Sequence, residues 1–254
     1  MKPKKFWRGS FFAAFFLALV SITLNIVLYS QLRRYYTLLY AVELDPLGLT
    51  YYRDTQVQPP MDGVQTVVFL GDSRAAQWTE PVLPGFTFRN RGIGNQTTAQ
   101  ILYRFDEQIA PLQPQIIVLQ LGINDLKAIP LFPRRKAEII ASCKNNIRQI
   151  VEKSLDLHTT VLITTIFPIG EVPLQRQLVW SDDIDAARVD VNEFIKELAS
   201  DHVLVFDAAA VLADSNGKIK PAYSYDTLHL NPAGYEILND ELVKVLEQIK
   251  SSVP

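Results

Sequence analysis

The chain of 254 residues carries a long uncharged apolar stretch near its start, followed by short apolar runs that alternate with amphipathic stretches. No charged residue occurs between positions 9 and 32. A helix needs about 20 consecutive apolar residues to cross a bilayer, and this stretch meets that length. The pattern predicts one N-terminal transmembrane helix within residues 1–37.

Basic residues flank the apolar stretch: Lys2, Lys4, Lys5 and Arg8 precede it, and Arg33 and Arg34 follow it. This bias favours a cytoplasmic N-terminus with the rest of the chain outside, in the periplasm or the extracellular space. A cleaved signal peptide is an alternative, but the stretch is long for one and no small-x-small cleavage site follows it. A buried soluble helix is a third interpretation. We predict a signal anchor that associates the protein with the membrane.

Residues 38–63 are predicted to form a linker. Pro and Gly interrupt every candidate periodicity there, first in Asp45-Pro46-Leu47-Gly48 and again in residues 58–63. Such a segment would hold a following domain near the membrane surface with limited slack.

The remaining residues, 64–250, alternate between two periodicities. Short runs rich in β-branched residues are typical of buried strands and lie at 64–70, 116–121, 160–166 and 203–206, with a weaker candidate at 86–90. Stretches with helical periodicity lie at 97–108, 134–155, 182–200 and 232–250. This alternation predicts an α/β domain, a parallel sheet covered by helices on both faces, with its chemistry at the carboxyl ends of the strands.

The amino-acid composition indicates which classes of function to expect for this chain. With 48% hydrophobic and 20% charged residues, the chain can bury the core of one medium-sized domain. A net charge of −2 and a pI near 6.0 provide no positive field, so we do not expect nucleic-acid binding. The single cysteine, Cys143, cannot form an internal disulfide and is expected to be buried and inert. No Cys/His spacing resembles a zinc site, and no cofactor is expected.

Three distant segments place polar residues directly after apolar runs: Gly71-Asp72-Ser73, Gly122-Ile123-Asn124-Asp125 and Asp226-Thr227-Leu228-His229. Each has an ordinary explanation by itself, namely a helix cap, a turn and a structural histidine. Together they supply a hydroxyl, an imidazole, a carboxylate and an amide donor. These are the groups that attack an ester carbonyl and stabilise the resulting oxyanion.

The third segment predicts a catalytic dyad. Asp226 lies three residues before His229, so the carboxylate can hold the ring through Nδ1–H and leave Nε2 facing a nucleophile. The other two histidines, His158 and His202, lie beside predicted strands in polar settings, where solvated roles are expected. Because the base must be unprotonated, activity is expected to decline in acid.

At these positions the chain resembles the GDSL or SGNH hydrolases, whose four blocks are a GDS serine, a glycine, a GxND asparagine and a DxxH dyad. The resemblance covers about residues 64–250, and three blocks agree letter for letter in their key positions. It implies a three-layer α/β/α sandwich with a flavodoxin-like parallel sheet and no metal. It also implies hydrolysis of esters or thioesters through an acyl-serine intermediate.

The second block departs from the family pattern. If Thr97 occupies the family's threonine position, Asn95 stands where the family has its glycine, and Gly94 comes one residue early. A backbone N–H does not require glycine, and Asn tolerates left-handed φ better than most residues. The oxyanion hole is therefore assigned to the N–H groups of Ser73 and Asn95 and the amide of Asn124. Gly94 would replace Asn95 if the loop shifts by one residue. The letters fit equally well an ordinary turn before a helix that is capped by Thr97 or Thr98.

The substrate is left open by the sequence, between lysophospholipids, other envelope acyl groups and acetylated glycans. Residues 167–180 are predicted to form a flap over the site, with most of its apolar residues in the core. Arg74 and Trp78 lie close to Ser73 in sequence, and Arg74 is expected to pair with a surface carboxylate. Transfer of the acyl group to a sugar hydroxyl is an alternative. A noncatalytic envelope-binding module is another, which Asn95 favours.

Overall fold

A computed structural model describes residues 4–52 and 63–252, without the side chains of residues 4–8 and 252. Residues 53–62 of the predicted linker therefore lie outside the described residues. The chain forms two units, residues 1–46 and 47–254.

The first unit is a single helix, α1 (Lys4–Leu44). Its portion Gly9–Leu44 is long and apolar enough to cross a membrane, and none of its most apolar window is buried. By length and composition, such a helix can be a membrane anchor or a signal sequence.

Helix α1 continues beyond the boundary predicted at residue 37. Residues 38–44 contain neither Pro nor Gly, so nothing in that stretch interrupts the helix. Pro46 disfavours helical geometry at the residue before it, which accounts for a helix that stops at Leu44.

The second unit contains a five-stranded parallel sheet with the order β2-β1-β3-β4-β5. Its strands are β1 (Gln65–Gly71), β2 (Phe86–Gly92), β3 (Ile116–Gln120), β4 (Thr160–Thr164) and β5 (Val203–Phe206). The described helices of this unit are α2 (Ser73–Ala76), α3 (Thr98–Tyr103), α4 (Phe105–Gln108), α5 (Ile123–Leu126), α6 (Lys136–Asp156), α7 (Asp183–Glu197), α8 (Ala208–Leu212) and α9 (Pro232–Ser252). The strand order confirms the predicted flavodoxin-like α/β/α fold.

The central strands β1, β3 and β4 are mostly apolar because both faces of the sheet are covered there. Along β1, Val68 and Leu70 pack into a core with residues of α3, α6 and α7. Val67 and Phe69 point the other way, into a second core with residues of α8 and α9. Burial of each such side chain contributes about 1.5–3 kcal/mol.

The stretch predicted as one helix over residues 97–108 is two helices, α3 and α4. Arg104 lies between them with φ −90° and ψ −1°. Its guanidinium is fully buried and donates to the carbonyl oxygens of Arg91 and Gly71, at 2.7 and 3.3 Å. Helical periodicity gives no sign of such an inward-pointing arginine.

Strand pairing brings the carboxyl ends of β1, β2 and β3 together at one end of the sheet. Gly71, the last residue of β1, pairs with Gly92 at the end of β2 and with Gln120 at the end of β3. The loops that follow these three strands therefore leave the sheet side by side.

Candidate active site

Ser73 begins helix α2 immediately after β1. Asp72 caps this helix, because its Oδ1 accepts from the backbone N–H of Arg74 at 2.9 Å. The N–H of Ser73 lies in the first turn, where no helical carbonyl is available, and it donates to no protein group among the described residues. The turn thus presents both the hydroxyl and the amide of Ser73 at the edge of the sheet.

The structure brings Ser73, His229 and Asp226 into one chain of hydrogen bonds. Ser73 Oγ lies 3.0 Å from His229 Nε2. His229 Nδ1 lies 3.0 Å from Asp226 Oδ2 and 3.1 Å from Oδ1. An ionised carboxylate can only accept, so Nδ1 carries the proton and a neutral ring leaves Nε2 to accept from Ser73.

Asp226 is held ionised by its own loop. Its Oδ1 accepts from the backbone N–H groups of Leu228 at 2.7 Å and His229 at 2.9 Å. Partial burial raises the pKa of Asp226. The hydrogen bonds from Leu228 N–H and from the backbone N–H and ring Nδ1 of His229 outweigh that effect and lower the pKa of Asp226 to about 2. The carboxylate is therefore charged over the whole range in which an esterase would work.

The prediction that Arg74 pairs with a surface carboxylate is wrong. Its side chain is fully buried and donates to three carbonyl oxygens, those of Leu228 at 2.8 Å, Phe167 at 3.2 Å and Pro168 at 3.3 Å. Burial lowers the pKa of Arg74 to about 10, which still leaves it charged at neutral pH. Arg74 therefore connects the loop of His229 and the start of the flap to helix α2, which begins at Ser73.

Asn124 lies in α5, directly after β3. Gly122 starts this turn with φ 113°, a conformation that L side chains rarely adopt, and a Cβ there would lie 2.8 Å from Ile166 Cδ1. The side-chain Nδ2 of Asn124 donates one N–H to the carbonyl of Gln96 at 2.9 Å. An amide nitrogen has two hydrogens, so the second can serve an oxyanion.

The loop after β2 passes beside the nucleophile. A Cβ built on Gly94 would lie 3.8 Å from Ser73 Cβ. Asn95 is the residue with left-handed geometry, at φ 64°. Both residues are exposed, and the N–H of Asn95 donates to no protein group in the described part of the chain. The loop can therefore present a backbone donor near Ser73.

Asp125 fixes α5 against the start of α3. Its carboxylate accepts from Thr98 N at 2.9 Å and from Thr98 Oγ1 at 2.7 Å. Asn146 donates in turn to Thr98 Oγ1 at 3.0 Å. Desolvation raises the pKa of Asp125 to about 6 despite these bonds. The carboxylate thus helps to position Asn124, its neighbour in α5.

The raised pKa of Asp125 predicts a pH-dependent contribution to stability. The unfolded carboxyl ionises near 3.8 and the folded one near 6, so the wild type loses stability as the pH rises through this window. Replacing Asp125 with Asn removes the effect. The stability of the wild type relative to the variant should therefore fall by about 2–3 kcal/mol between pH 4 and pH 7, measured by urea unfolding.

The control for this experiment is Asp156→Asn, which removes the same charge from an exposed position at the end of α6. Its stability difference from the wild type should change little over the same pH range. A difference for Asp125→Asn that is constant from pH 4 to pH 7 would contradict the raised pKa.

The flap, residues 167–180, divides into a buried and an exposed part. Phe167 and Ile169 lie in the core, as expected for most of its apolar residues. Leu174, Leu178 and Val179 do not, since they are 77%, 93% and 51% exposed. All three lie in the 3-10 helix Leu174–Val179.

A cleft of about 500 Å³ lies between the flap and the loop of His229. Its lining includes Val172 and Arg176 from the flap and Asp226 and Thr227 from the loop. The Thr227 hydroxyl donates to the carbonyl of Glu171 at 3.0 Å, which joins the two walls. The cleft is large enough for a small substrate. Asp226 is part of its lining, whereas Ser73 and His229 are not.

Several other residues lie away from this chemistry. Trp78 is buried in the core and donates through Nε1 to Asn239 at 2.8 Å. His158 and His202 are exposed. Cys143 is buried, and desolvation raises the pKa of its thiol. Sequence reasoning missed the role of Arg74, because a charged residue beside a surface-facing serine gives no sign that it points inward.

Comparison with known proteins places this arrangement in context. A model of the GDSL-like lipase/acylhydrolase family matches residues 62–237. The chain is 26% identical over 195 residues to the platelet-activating factor acetylhydrolase IB subunit alpha1 of Rattus norvegicus, covering 72% of this chain and 77% of that protein. It is also 21% identical over 188 residues to the N-acylneuraminate cytidylyltransferase of Escherichia coli O18:K1:H7. That match covers 73% of this chain but only 41% of the relative's length.

Solved structures show the same fold. A GDSL-like lipase from Bacteroides thetaiotaomicron superposes with a TM-score of 0.62 at 22% identity, covering 80% of this chain and 98% of that one. A catalytic mutant of an acetylxylan esterase from Geobacillus stearothermophilus gives a TM-score of 0.55 at 20% identity, covering 72% and 94%. At these identities the likeness extends to the fold.

Proposed function

This chain belongs to the GDSL-like lipase/acylhydrolase family, and on that premise we propose that it is a metal-independent serine esterase acting through an acyl-serine intermediate. One observation carries the proposal. The Ser73 hydroxyl lies 3.0 Å from His229 Nε2, and His229 Nδ1 lies 3.0 Å from the carboxylate of Asp226. A nucleophile, a base and an orienting carboxylate are thus joined in the order that acyl transfer requires.

In the proposed first step, neutral His229 takes the proton of Ser73 as Oγ attacks the acyl carbonyl. Asp226 keeps the ring in the correct tautomer and stabilises the imidazolium. The C–O bond to the alcohol then breaks, and His229 gives its proton to the departing alkoxide. In the second step water attacks the acyl-serine by the same route and releases the carboxylic acid.

The oxyanion of both steps would be bound by three donors: the N–H groups of Ser73 and Asn95 and the second amide hydrogen of Asn124. The two backbone N–H groups have no acceptor among the described protein groups, as a preorganised oxyanion site requires. The φ of 64° at Asn95 is one that glycine adopts readily, which supports Asn95 as the residue at the family's glycine position.

Replacing Asn124 with Ala is expected to lower kcat by on the order of 10²- to 10³-fold, because one oxyanion donor is lost. The KM for a small activated ester should change little, since the donor acts mainly in the transition state. Steady-state hydrolysis of 4-nitrophenyl acetate measures both constants. Asn216→Ala, in an exposed turn, is the matched control. Equal turnover by both variants would remove Asn124 from the oxyanion hole.

We infer that short acyl groups, acetyl above all, are the acyl part of the substrate. The names of two relatives, a platelet-activating factor acetylhydrolase and an acetylxylan esterase, both specify acetyl groups. These two names also span a lipid and a glycan as the alcohol part. The substrate would thus be an acylated lipid or an acylated cell-envelope glycan that enters the cleft beside Asp226.

We also infer that α1 anchors the enzyme in a membrane with the second unit outside the cytoplasm. Four basic residues before the apolar stretch and two after it support this orientation. An impermeant maleimide applied to intact cells should label Lys218→Cys, whose site is exposed, while the native Cys143 is buried. Labelling only after permeabilisation would reverse the orientation.

A fluorophosphonate probe tests the proposed function directly. Attack by Ser73 Oγ on phosphorus expels fluoride and leaves a stable adduct, so the full-length protein should gain the probe's mass on the peptide that contains Ser73. Ser73→Ala should not be labelled, and Ser215→Ala, in an exposed turn, should be labelled like the wild type. A folded wild type without an adduct would reject the esterase in favour of a noncatalytic binding module.

A further inference from the structure

Residues 47–52, which follow α1 in sequence, pack against the loop that carries Asn95. We call them the proximal segment, and we call residues 92–97 the oxyanion loop. The hydroxyl of Tyr52 donates to the carbonyl of Gly92 at 2.6 Å. The guanidinium of Arg91 stacks over the Tyr52 ring at 4.6 Å from its centre. The family match begins only at residue 62, so the proximal segment lies outside it.

Gln96 is the junction between this segment and the proposed oxyanion donors. Its side-chain Nε2 donates to the carbonyl of Leu47 at 2.8 Å. Its backbone carbonyl accepts from Asn124 Nδ2 at 2.9 Å. Gln96 is 4% exposed and follows Asn95 directly in the chain. One buried residue thus touches the proximal segment through its side chain and Asn124 through its backbone.

Arg104 fixes the orientation of the side-chain amide of Gln96. Its Nε donates to Gln96 Oε1 at 2.6 Å, which forces the Nε2 end of that amide toward Leu47. Its Nη1 donates to Gln108 Oε1 at 3.0 Å, and Gln108 Nε2 in turn donates to the carbonyl of Gly48 at 2.9 Å. The guanidinium therefore orients two glutamine amides, and both bind consecutive carbonyls of the proximal segment.

Such a network destabilises the fold unless it is complete, because a buried polar group that loses its hydrogen-bond partner is left desolvated and unpaired. Burial lowers the pKa of Arg104 to about 10, so the charge persists at neutral pH. Without the Leu47 and Gly48 carbonyls, Gln96 and Gln108 would each have an unpaired buried amide nitrogen. Relief of that strain would move Gln96, and with it Asn95 and the partner of Asn124.

We propose that the proximal segment is a positioning element of the active site, which sets the oxyanion loop through Gln96. This rests on the proposed function, in which Asn95 and Asn124 bind the oxyanion. A displacement of about 1 Å at a catalytic group can cost on the order of 10²-fold in rate, so small movements of the loop suffice to affect catalysis.

Gly48→Ala tests the proposal at a residue remote from the chemistry. Gly48 has φ +71°, and an added Cβ would lie 2.9 Å from both Gln96 Nε2 and Ile93 Cδ1. The matched control is Gly217→Ala, where φ is +76° and nothing lies within 4 Å of the added Cβ. The two substitutions impose similar backbone strain, but only the first presses on Gln96.

With the full-length protein and 4-nitrophenyl acetate, Gly48→Ala should lower kcat by on the order of tenfold or more, with KM changed less than about twofold. Gly217→Ala should keep the wild-type kcat. The melting temperature should fall further in Gly48→Ala than in Gly217→Ala, because only the first adds close contacts to the backbone strain, and kinetics are measured well below both. A purely structural role would move the melting temperature and leave kcat unchanged.

Tyr52→Phe gives a milder second variant, which deletes one hydroxyl and keeps the ring under Arg91. It should lower kcat in the same direction with KM again unchanged. Wild-type kcat in both Gly48→Ala and Tyr52→Phe, or equal losses in both glycine variants, would overturn the proposal. Failure of the proposed function gives a different result, because the wild type itself would then neither hydrolyse the ester nor form the Ser73 adduct.

Discussion

Replacing Ser73 with Ala is expected to lower kcat for an activated acetyl ester by on the order of 10⁴-fold or more. The Ser73 hydroxyl is the only proposed nucleophile, and its Oγ lies 3.0 Å from His229 Nε2. A water molecule that attacked in place of Oγ would not be held in this position relative to the base. Any residual rate would come from the oxyanion donors. Hydrolysis of 4-nitrophenyl acetate, followed to complete turnover with a burst analysis, measures the loss.

The fold should survive this change. The described hydrogen bonds of the Ser73 side chain consist of the one with His229, and Ala suits the first turn of α2. A melting temperature close to that of the wild type checks this. Ser215→Ala serves as the control for loss of a hydroxyl elsewhere. Wild-type turnover by Ser73→Ala would move the nucleophile to another residue.

The central strands of the sheet were predictable because they are buried on both faces. Val67-Val68-Phe69-Leu70 is apolar at every position, since alternate residues serve two different cores. Strand β2 was the weaker candidate because it is an edge strand: it pairs only with β1 in the described sheet, and most of its residues are only partly buried. A strand that is only partly buried contains polar residues, and these interrupt the apolar run by which a buried strand is predicted.

The candidate site was predictable because its chemistry follows directly after strands. Parallel strands end at a common edge, so Ser73 after β1 and Asn124 after β3 had to be neighbours. The contact between His229 and Ser73 cannot be predicted from the hydrophobic periodicity of the sequence. It is a tertiary contact between residues 156 positions apart, and only the resemblance to the family predicted it from sequence.

The contacts that support the site were not predictable. Arg74 and Arg104 are charged, a property that predicts exposure, yet both guanidinium groups are fully buried against backbone carbonyls. Backbone acceptors are the same at every position and leave no trace in the amino-acid pattern. For the same reason, the proximal segment, which binds through the carbonyls of Leu47 and Gly48, was assigned to a linker.

Replacing Asp226 with Asn is expected to lower kcat by on the order of 10³- to 10⁴-fold while leaving the loop in place. The Asn Oδ1 can still accept from the N–H groups of Leu228 and His229. Its amide would face Nδ1 with a donor, so the ring would carry its proton on Nε2 instead. In that tautomer His229 cannot take the proton of Ser73, although the distances barely change.

The same variant has a signature in stability. The pKa of Asp226 is about 2 in the folded protein and near 3.8 in the unfolded one, so the ionised carboxylate stabilises the fold above pH 4 and the effect is lost as the pH falls toward 2. Because the side chain is 32% exposed, we expect a contribution of about 1–2 kcal/mol, absent in Asp226→Asn. Asp190→Asn, which breaks a surface ion pair with Lys144, should keep full activity. If Asp226→Asn kept the wild-type kcat, the carboxylate would have only a structural role, and the orientation of His229 would depend on other contacts of its loop.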